Sequence, residues 1–89
     1  MKAIWKYPLS FSEDYHEVAV PRGAQFIMAA MQHGQPTVWA EVDPSQPRAT
    51  TTLSIHGTGH KVGDNEHYID SFSNGPFVWH VFEVHDAKD

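Results

Sequence analysis

The sequence predicts a mainly β fold, a small antiparallel β-sandwich or barrel of six to seven strands. Short runs of β-favouring residues, several with alternating apolar and polar side chains, recur along the chain. Gly, Pro, Asn and Asp residues separate these runs and are typical of turns. Many short strands joined by short turns are typical of sandwiches and barrels.

The first two strands are predicted near the start of the chain. Residues 2–9 are rich in aromatic and β-favouring types, and Pro8 is compatible with a position at a sheet edge. Residues 16–20 alternate apolar with polar side chains, which indicates a half-buried strand. A turn follows at 21–23.

Residues 24–32 have two interpretations. Their Ala, Met and Gln residues favour a helix, but so short a helix is weak in isolation. Apolar side chains fall on both alternating faces, which suits a strand buried on both sides. We interpret the segment as a strand, with a short helix as the alternative.

A hairpin turn is predicted at 33–36, before a cleanly alternating strand at 37–43. On this strand Trp39 is predicted to face away from the core, together with Glu41. An outward Trp needs a second layer, a partner chain or a ligand to cover it. The core-facing residues are Val38, Ala40 and Val42.

Two prolines predict a loop at 43–47, and a Thr-rich strand follows at 49–56 with Leu53 and Ile55 facing inward. The longest irregular stretch is 57–66, which contains three glycines. Long loops on a rigid sheet are where binding residues collect, so we expect this one to line the functional surface.

The clearest hairpin joins strands at 68–72 and 77–84 through a turn at 73–76. Residues 86–89 are expected to be a frayed, charged tail. The 89 residues suffice for one domain, which we expect to span 1–89.

Composition excludes several classes of site. With no cysteine there is neither a disulfide nor a thiolate metal site, which favours a reducing, intracellular environment. No signal peptide is visible, and no run approaches the ~20 apolar residues of a membrane span. A small, disulfide-free domain has a limited core, so we expect a homo-oligomer. We expect no membrane partner, because no apolar run of that length is present.

The formal net charge of −5 argues against sequence-independent DNA binding, which needs several basic side chains against phosphates. Six of the eleven acids fall within residues 64–89. The same charge balance is compatible with one local basic pocket for a small anion.

Seven histidines raise the question of a metal. His56 and His60 have the helical i,i+4 spacing, but Gly57 lies between them and a helix is not expected. His80 and His85 are separated by an odd number, so on one strand they face opposite sides. We therefore predict no metal and no cofactor, with histidines that are hydrogen-bonded within the fold or on the surface.

The segment at 57–61 can cradle a phosphate, because glycines let backbone N–H groups approach an anion. Neither the full P-loop spacing nor a dinucleotide fingerprint is present, so a plain connecting loop is the alternative. There is no Cys nucleophile and no Gly-x-Ser-x-Gly elbow, so we expect no enzymatic activity. The candidate ligand-binding residues are Arg22, Trp39, Arg48, Gly57, Thr58, Gly59, His60 and Lys61.

Several segments together resemble a family of small, uncharacterised proteins encoded by bacteriophages and prophages. The most specific are Trp-Ala-x-Val-Asp-Pro at 39–44 and Gly-Thr-Gly-His at 57–60. The similarity covers nearly the whole chain and carries no catalytic residue across. The matching segments are 4–7, 21–24, 35–44, 57–60 and 78–83.

The resemblance implies a phage accessory protein acting in the host bacterial cytoplasm. Small phage proteins of this kind often counter host antiviral defence, by sequestering a nucleotide-like signal or by blocking a host protein. The leading hypothesis is therefore a non-enzymatic binding protein whose partner is a small phosphorylated ligand or a host protein. A phage structural or morphogenesis component is the first alternative, and a small metal-dependent enzyme is the second.

Overall fold

Residues 1–85, which the computed structural model describes, form seven β-strands and no helix. This confirms the predicted all-β fold and its strand number. The predicted frayed tail at 86–89 lies outside the described residues. The strands are β1 (Ala3–Pro8), β2 (Tyr15–Pro21), β3 (Gln25–Gln32), β4 (Gln35–Val42), β5 (Arg48–Gly57), β6 (Glu66–Asn74) and β7 (Phe77–Val84).

The strands form a three-stranded sheet of order β1-β4-β3 and a four-stranded sheet of order β2-β5-β7-β6, both antiparallel between hydrogen-bonded neighbours. The two sheets pack face to face as a small β-sandwich. The predicted core alternation is confirmed, since the inward side chains of β4 and β5 are buried. The central core cluster comprises Leu9, Ala29, Val38, Leu53, Ile55 and Val81.

The ambiguous segment 24–32 is a strand, β3, and pairs with β4 through a two-residue turn. His33 and Gly34 both have positive φ, 52° and 77°, as such a tight hairpin requires. The expectation that this strand is buried on both sides is wrong. β3 is an edge strand with a bulge, and Ile27 and Met28 are exposed.

The sandwich is closed on one side. There β3 lies beside β6, and each strand carries a bulge that interrupts its own pairing. The backbone N–H of Ala29 donates to a carboxylate oxygen of Asp70 at 2.9 Å, so a side chain bridges the two sheets where no ladder forms. This contact satisfies a backbone donor that an edge strand would otherwise expose.

The connection between β5 and β6 is a crossover rather than a hairpin. Both strands pair antiparallel with β7, which lies between them, so β5 and β6 run parallel. Val84 pairs with Thr52 on one side and with Glu66 on the other. Residues 58–65 therefore carry the chain from the Gly57 end of β5 back to the level of Thr52.

No helix that could cross a lipid bilayer occurs in the part of the chain that the structure describes.

Candidate functional site

The sequence-predicted site residues lie in three separate places. Arg22 directly follows Pro21, which pairs with Arg48, so the two arginines lie at one end of β5. Gly57 is the last residue of β5, and the loop to Lys61 follows it. Ten residues of strand separate these ends by about 30 Å, so one small ligand cannot reach both. Trp39 lies on the outer face of the other sheet.

Arg48 is held by its own chain. Its guanidinium carbon lies 5.0 Å from the ring centroid of Trp5, a cation–π contact. The same side chain donates to the carbonyl oxygens of Gln46 at 3.2 Å and Pro44 at 3.5 Å. These contacts fasten the loop before β5 to the Arg48 guanidinium. They account for the conformation of the Arg48 side chain without a bound anion.

Trp39 faces outward as predicted, and neighbouring strands flank it. In the sheet register it lies between Lys6 of β1 and Met28 of β3, and its side chain is half-buried. Long side chains on adjacent strands can cover an aromatic ring in this way. Trp39 therefore lies in a different sheet from the strand that leads into the glycine-rich loop.

A groove of about 600 Å³ opens at the Gly57 end of β5. It exists because Gly57 pairs with Trp79, which brings the start of the crossover loop beside the β6–β7 turn. The ring of Phe77 is 62 % exposed and lies 6.3 Å from the ring of Trp79. The groove is lined by Gly57, Thr58, His60, Pro76, Phe77, Val78 and Trp79.

The imidazole of His60 packs directly over Gly57. The backbone N–H of Gly57 donates to His60 Nδ1 at 3.2 Å, and the backbone N–H of His60 donates to the Gly57 carbonyl at 3.0 Å. A Cβ at Gly57 would lie 3.2 Å from the ring, so glycine permits this close approach. Because Nδ1 accepts, the other ring nitrogen of a neutral His60 carries the proton and is a donor.

A chain of hydrogen bonds fixes Thr58 at the rim of the groove. Thr58 Oγ1 lies 2.9 Å from His80 Nε2, and His80 Nδ1 lies 2.8 Å from Ser71 Oγ. The hydroxyl of Tyr68 extends the chain at 2.9 Å from Ser71 Oγ. Both nitrogens of His80 are thereby engaged, and Thr58 has a defined orientation at the edge of the groove.

At the far end of the crossover loop lies a buried carboxylate, Glu66, whose side chain is 2 % exposed. One oxygen contacts Ser54 Oγ and lies 2.7 Å from His56 Nε2. The other accepts from the Gly63 backbone N–H at 2.7 Å and from the Tyr15 hydroxyl at 3.1 Å. We call these five residues the Glu66 network.

Two opposing effects set the pKa of Glu66. Burial raises it, but hydrogen bonds from Ser54, the Gly63 backbone, His56 and Tyr15 together lower it to about 2. The carboxylate is therefore ionised at neutral pH and fully occupied by its own donors. It fastens the crossover loop to β2 and β5 and leaves no oxygen free for a substrate.

Sequence reasoning missed the Glu66 network, although it predicted a hydrogen-bonded histidine. Ser54 and His56 alternate with the core residues Leu53 and Ile55 along β5, so their side chains lie on the face away from the core. Both are nevertheless buried. Their cover depends on the crossover, which the sequence does not reveal. Among residues 1–85, no group of three or more His, Cys, Asp or Glu is arranged to hold a metal.

The chain belongs to a family described as a domain of unknown function, DUF7352, and the match covers residues 1–89. No curated protein and no solved structure matches it.

Proposed function

We propose that this protein is a non-enzymatic bacteriophage accessory protein that binds a small phosphorylated, nucleotide-like ligand in the groove. Acting in the host bacterial cytoplasm, it sequesters an antiviral signal of that chemistry. The phage assignment derives from the sequence resemblance. The ligand assignment is supported by one observation, which is that exposed Phe77, half-buried Trp79 and polar side chains of the glycine-rich loop border the same groove.

The aromatic wall suits a base. Phe77 is largely exposed and Trp79 packs beside it, so a planar heterocycle can stack there without displacing core side chains. Stacking of a base on an aromatic side chain contributes about 1–3 kcal/mol and tolerates different bases.

The opposite wall suits a phosphate. His60 and Thr58 border the groove, and Gly59 and Lys61 continue the exposed loop next to them. Lys61 is the only Lys or Arg between residues 49 and 87, so it carries the positive charge of this loop. The Glu66 carboxylate is held inside its own network and does not face the ligand space.

A thermal-shift screen with cyclic nucleotides and ADP-ribose tests the proposal, because a ligand that binds only the folded state raises apparent stability. We expect at least one of these compounds to raise the melting temperature in proportion to the logarithm of its concentration. Replacing both His60→Ala and Lys61→Ala should abolish that shift while leaving the unliganded melting temperature nearly unchanged.

The matched control is Arg22→Ala, which removes one exposed positive charge at the opposite end of β5 and should leave the shift intact. Failure of every compound would contradict the nucleotide-like ligand and leave a host protein as the partner. A shift that survives in the His60/Lys61 variant would show that the loop is only a connector.

A second candidate, a phage structural component, is favoured by a different observation. On the side of the sandwich opposite the bulged β3 and β6, the edges of β1 and β2 have no strand partner among residues 1–85. Such edges are suited to contacts between subunits.

A further inference from the structure

The strand edges differ between the two sides of the sandwich. On the closed side, β3 and β6 each carry a bulge, and Asp70 accepts a hydrogen bond from the backbone N–H of Ala29. On the open side, β1 ends the three-stranded sheet and β2 ends the four-stranded sheet. Within residues 1–85 no strand pairs with the outer edge of either. Natural proteins normally protect or occupy such edges.

The two free edges lie at the same level of the sandwich, and their strands are antiparallel. Ala3 pairs with Val42 and Pro21 pairs with Arg48, and the short loop 43–47 joins those partners, so Ala3 and Pro21 lie at the same end. At the other end, the backbone N–H of Ser10 donates to His16 Nε2 at 3.1 Å. β1 and β2 therefore run in opposite directions over the same length of the sandwich.

We propose that two copies of the chain associate through these edges, with β1 of each copy pairing antiparallel with β2 of the other. A two-fold axis along the strand direction brings the open sides together and forms both contacts at once. Each three-stranded sheet then continues into the partner's four-stranded sheet. The interface is closed and self-complementary, as in most symmetric dimers.

Side-chain chemistry favours one register. With Lys6 opposite Glu17, outward-facing residues oppose outward-facing residues along the whole contact, and Ile4 lies opposite Ala19. Pro8 then covers Tyr15, whose ring is 51 % exposed in the single chain. The two-fold axis makes each of these pairs twice.

Dimers that pair β1 with a second β1, or β2 with a second β2, are disfavoured by charge. Pairing β1 with a second β1 brings the Lys6 side chains of the two copies into one short contact, and pairing β2 with a second β2 does the same for Glu17. Like charges on adjacent strands are destabilising, whereas an opposite-charge pair is stabilising. Glu17 has no ion-pair partner within the described part of the chain, so it is available to Lys6.

Sedimentation velocity tests the dimer directly. We expect a species of twice the 10.1 kDa chain mass that dissociates on dilution. Lys6→Glu alone, or Glu17→Lys alone, should weaken dimerisation about tenfold or more, because each places like charges at both symmetric contacts. The double variant Lys6→Glu/Glu17→Lys should restore it. An equimolar mixture of the two single variants should also dimerise.

The control is Lys61→Glu, which makes the same charge change at the groove and should leave the dimer intact. Amide hydrogen exchange of the unaltered protein gives evidence that needs no variant, since backbone N–H groups of β1 and β2 should become protected with rising concentration. A monomer at all concentrations would overturn the proposal. A dimer that neither single variant weakens and that leaves both edges exchanging would overturn it equally.

Discussion

The Glu66 network and the groove border the same crossover loop but differ in what their polar groups contact. Glu66 is buried, and both of its oxygens accept hydrogen bonds from the chain itself. The groove presents exposed aromatic surface next to Thr58 and His60. A cluster of Ser, His and Glu can suggest catalysis, but here its hydrogen-bonding capacity is used within the fold. We therefore propose the groove, and not this cluster, as the place where a ligand binds.

Removing the Glu66 charge should have the largest effect on the free energy of unfolding. Glu66→Gln keeps the shape but replaces an acceptor oxygen with an NH₂ group, which leaves buried donors unpaired. We expect a loss of about 2–4 kcal/mol, measured by urea denaturation. The matched control Asp64→Asn, on the exposed part of the loop, should change stability by less than about 0.5 kcal/mol.

A loss below about 1 kcal/mol in Glu66→Gln would show that the network does not hold the loop. In that case the Glu66 network could no longer be assigned a structural role that sets it apart from the groove.

Acid should destabilise the fold through the same carboxylate. The pKa of Glu66 is lowered from 4.5 to about 2, so its contribution is fully present above about pH 4.5 and is lost as the pH falls toward 2. The loss should amount to roughly 2–3 kcal/mol. Glu66→Gln should lack this part of the pH dependence. The difference in the free energy of unfolding between the unaltered protein and this variant, followed against pH, therefore isolates the contribution of Glu66. A difference in the free energy of unfolding that stays constant with pH would contradict the assignment of this effect to Glu66.

The smallest effect on stability is expected at the groove. Phe77→Ala removes an aromatic ring that is 62 % exposed, so stability should fall by about 0.5 kcal/mol or less. Ligand-induced stabilisation should nevertheless be lost, because the stacking surface is gone. The control Ile27→Ala removes a comparably exposed apolar side chain from the other sheet and should leave the ligand response unchanged. Equal ligand shifts in both variants would place binding elsewhere.

The local parts of the fold could be predicted from the sequence. Alternation along 37–43 and 49–56 identified which side chains enter the core, because strand side chains alternate strictly between faces. The turns at His33-Gly34 and before Phe77 were also identified, because their residue types restrict backbone angles. Even the ambiguous segment 24–32 was assigned correctly as a strand.

The long-range parts could not be predicted. Glu66 meets His56 only because β7 inserts between β5 and β6 and turns their connection into a crossover. Strand order depends on packing between distant segments, and local composition carries little information about it. The same limit explains why the packing of Arg48 on Trp5 could not be predicted.

The most direct test of the groove is a two-dimensional ¹H–¹⁵N NMR titration of the protein with ADP-ribose, and in parallel with a cyclic nucleotide. We expect saturable shift changes of backbone amides at 57–61 and 77–79, with Arg22 and Arg48 unaffected. Saturable changes centred on Arg22 and Arg48, or none with any nucleotide, would contradict it.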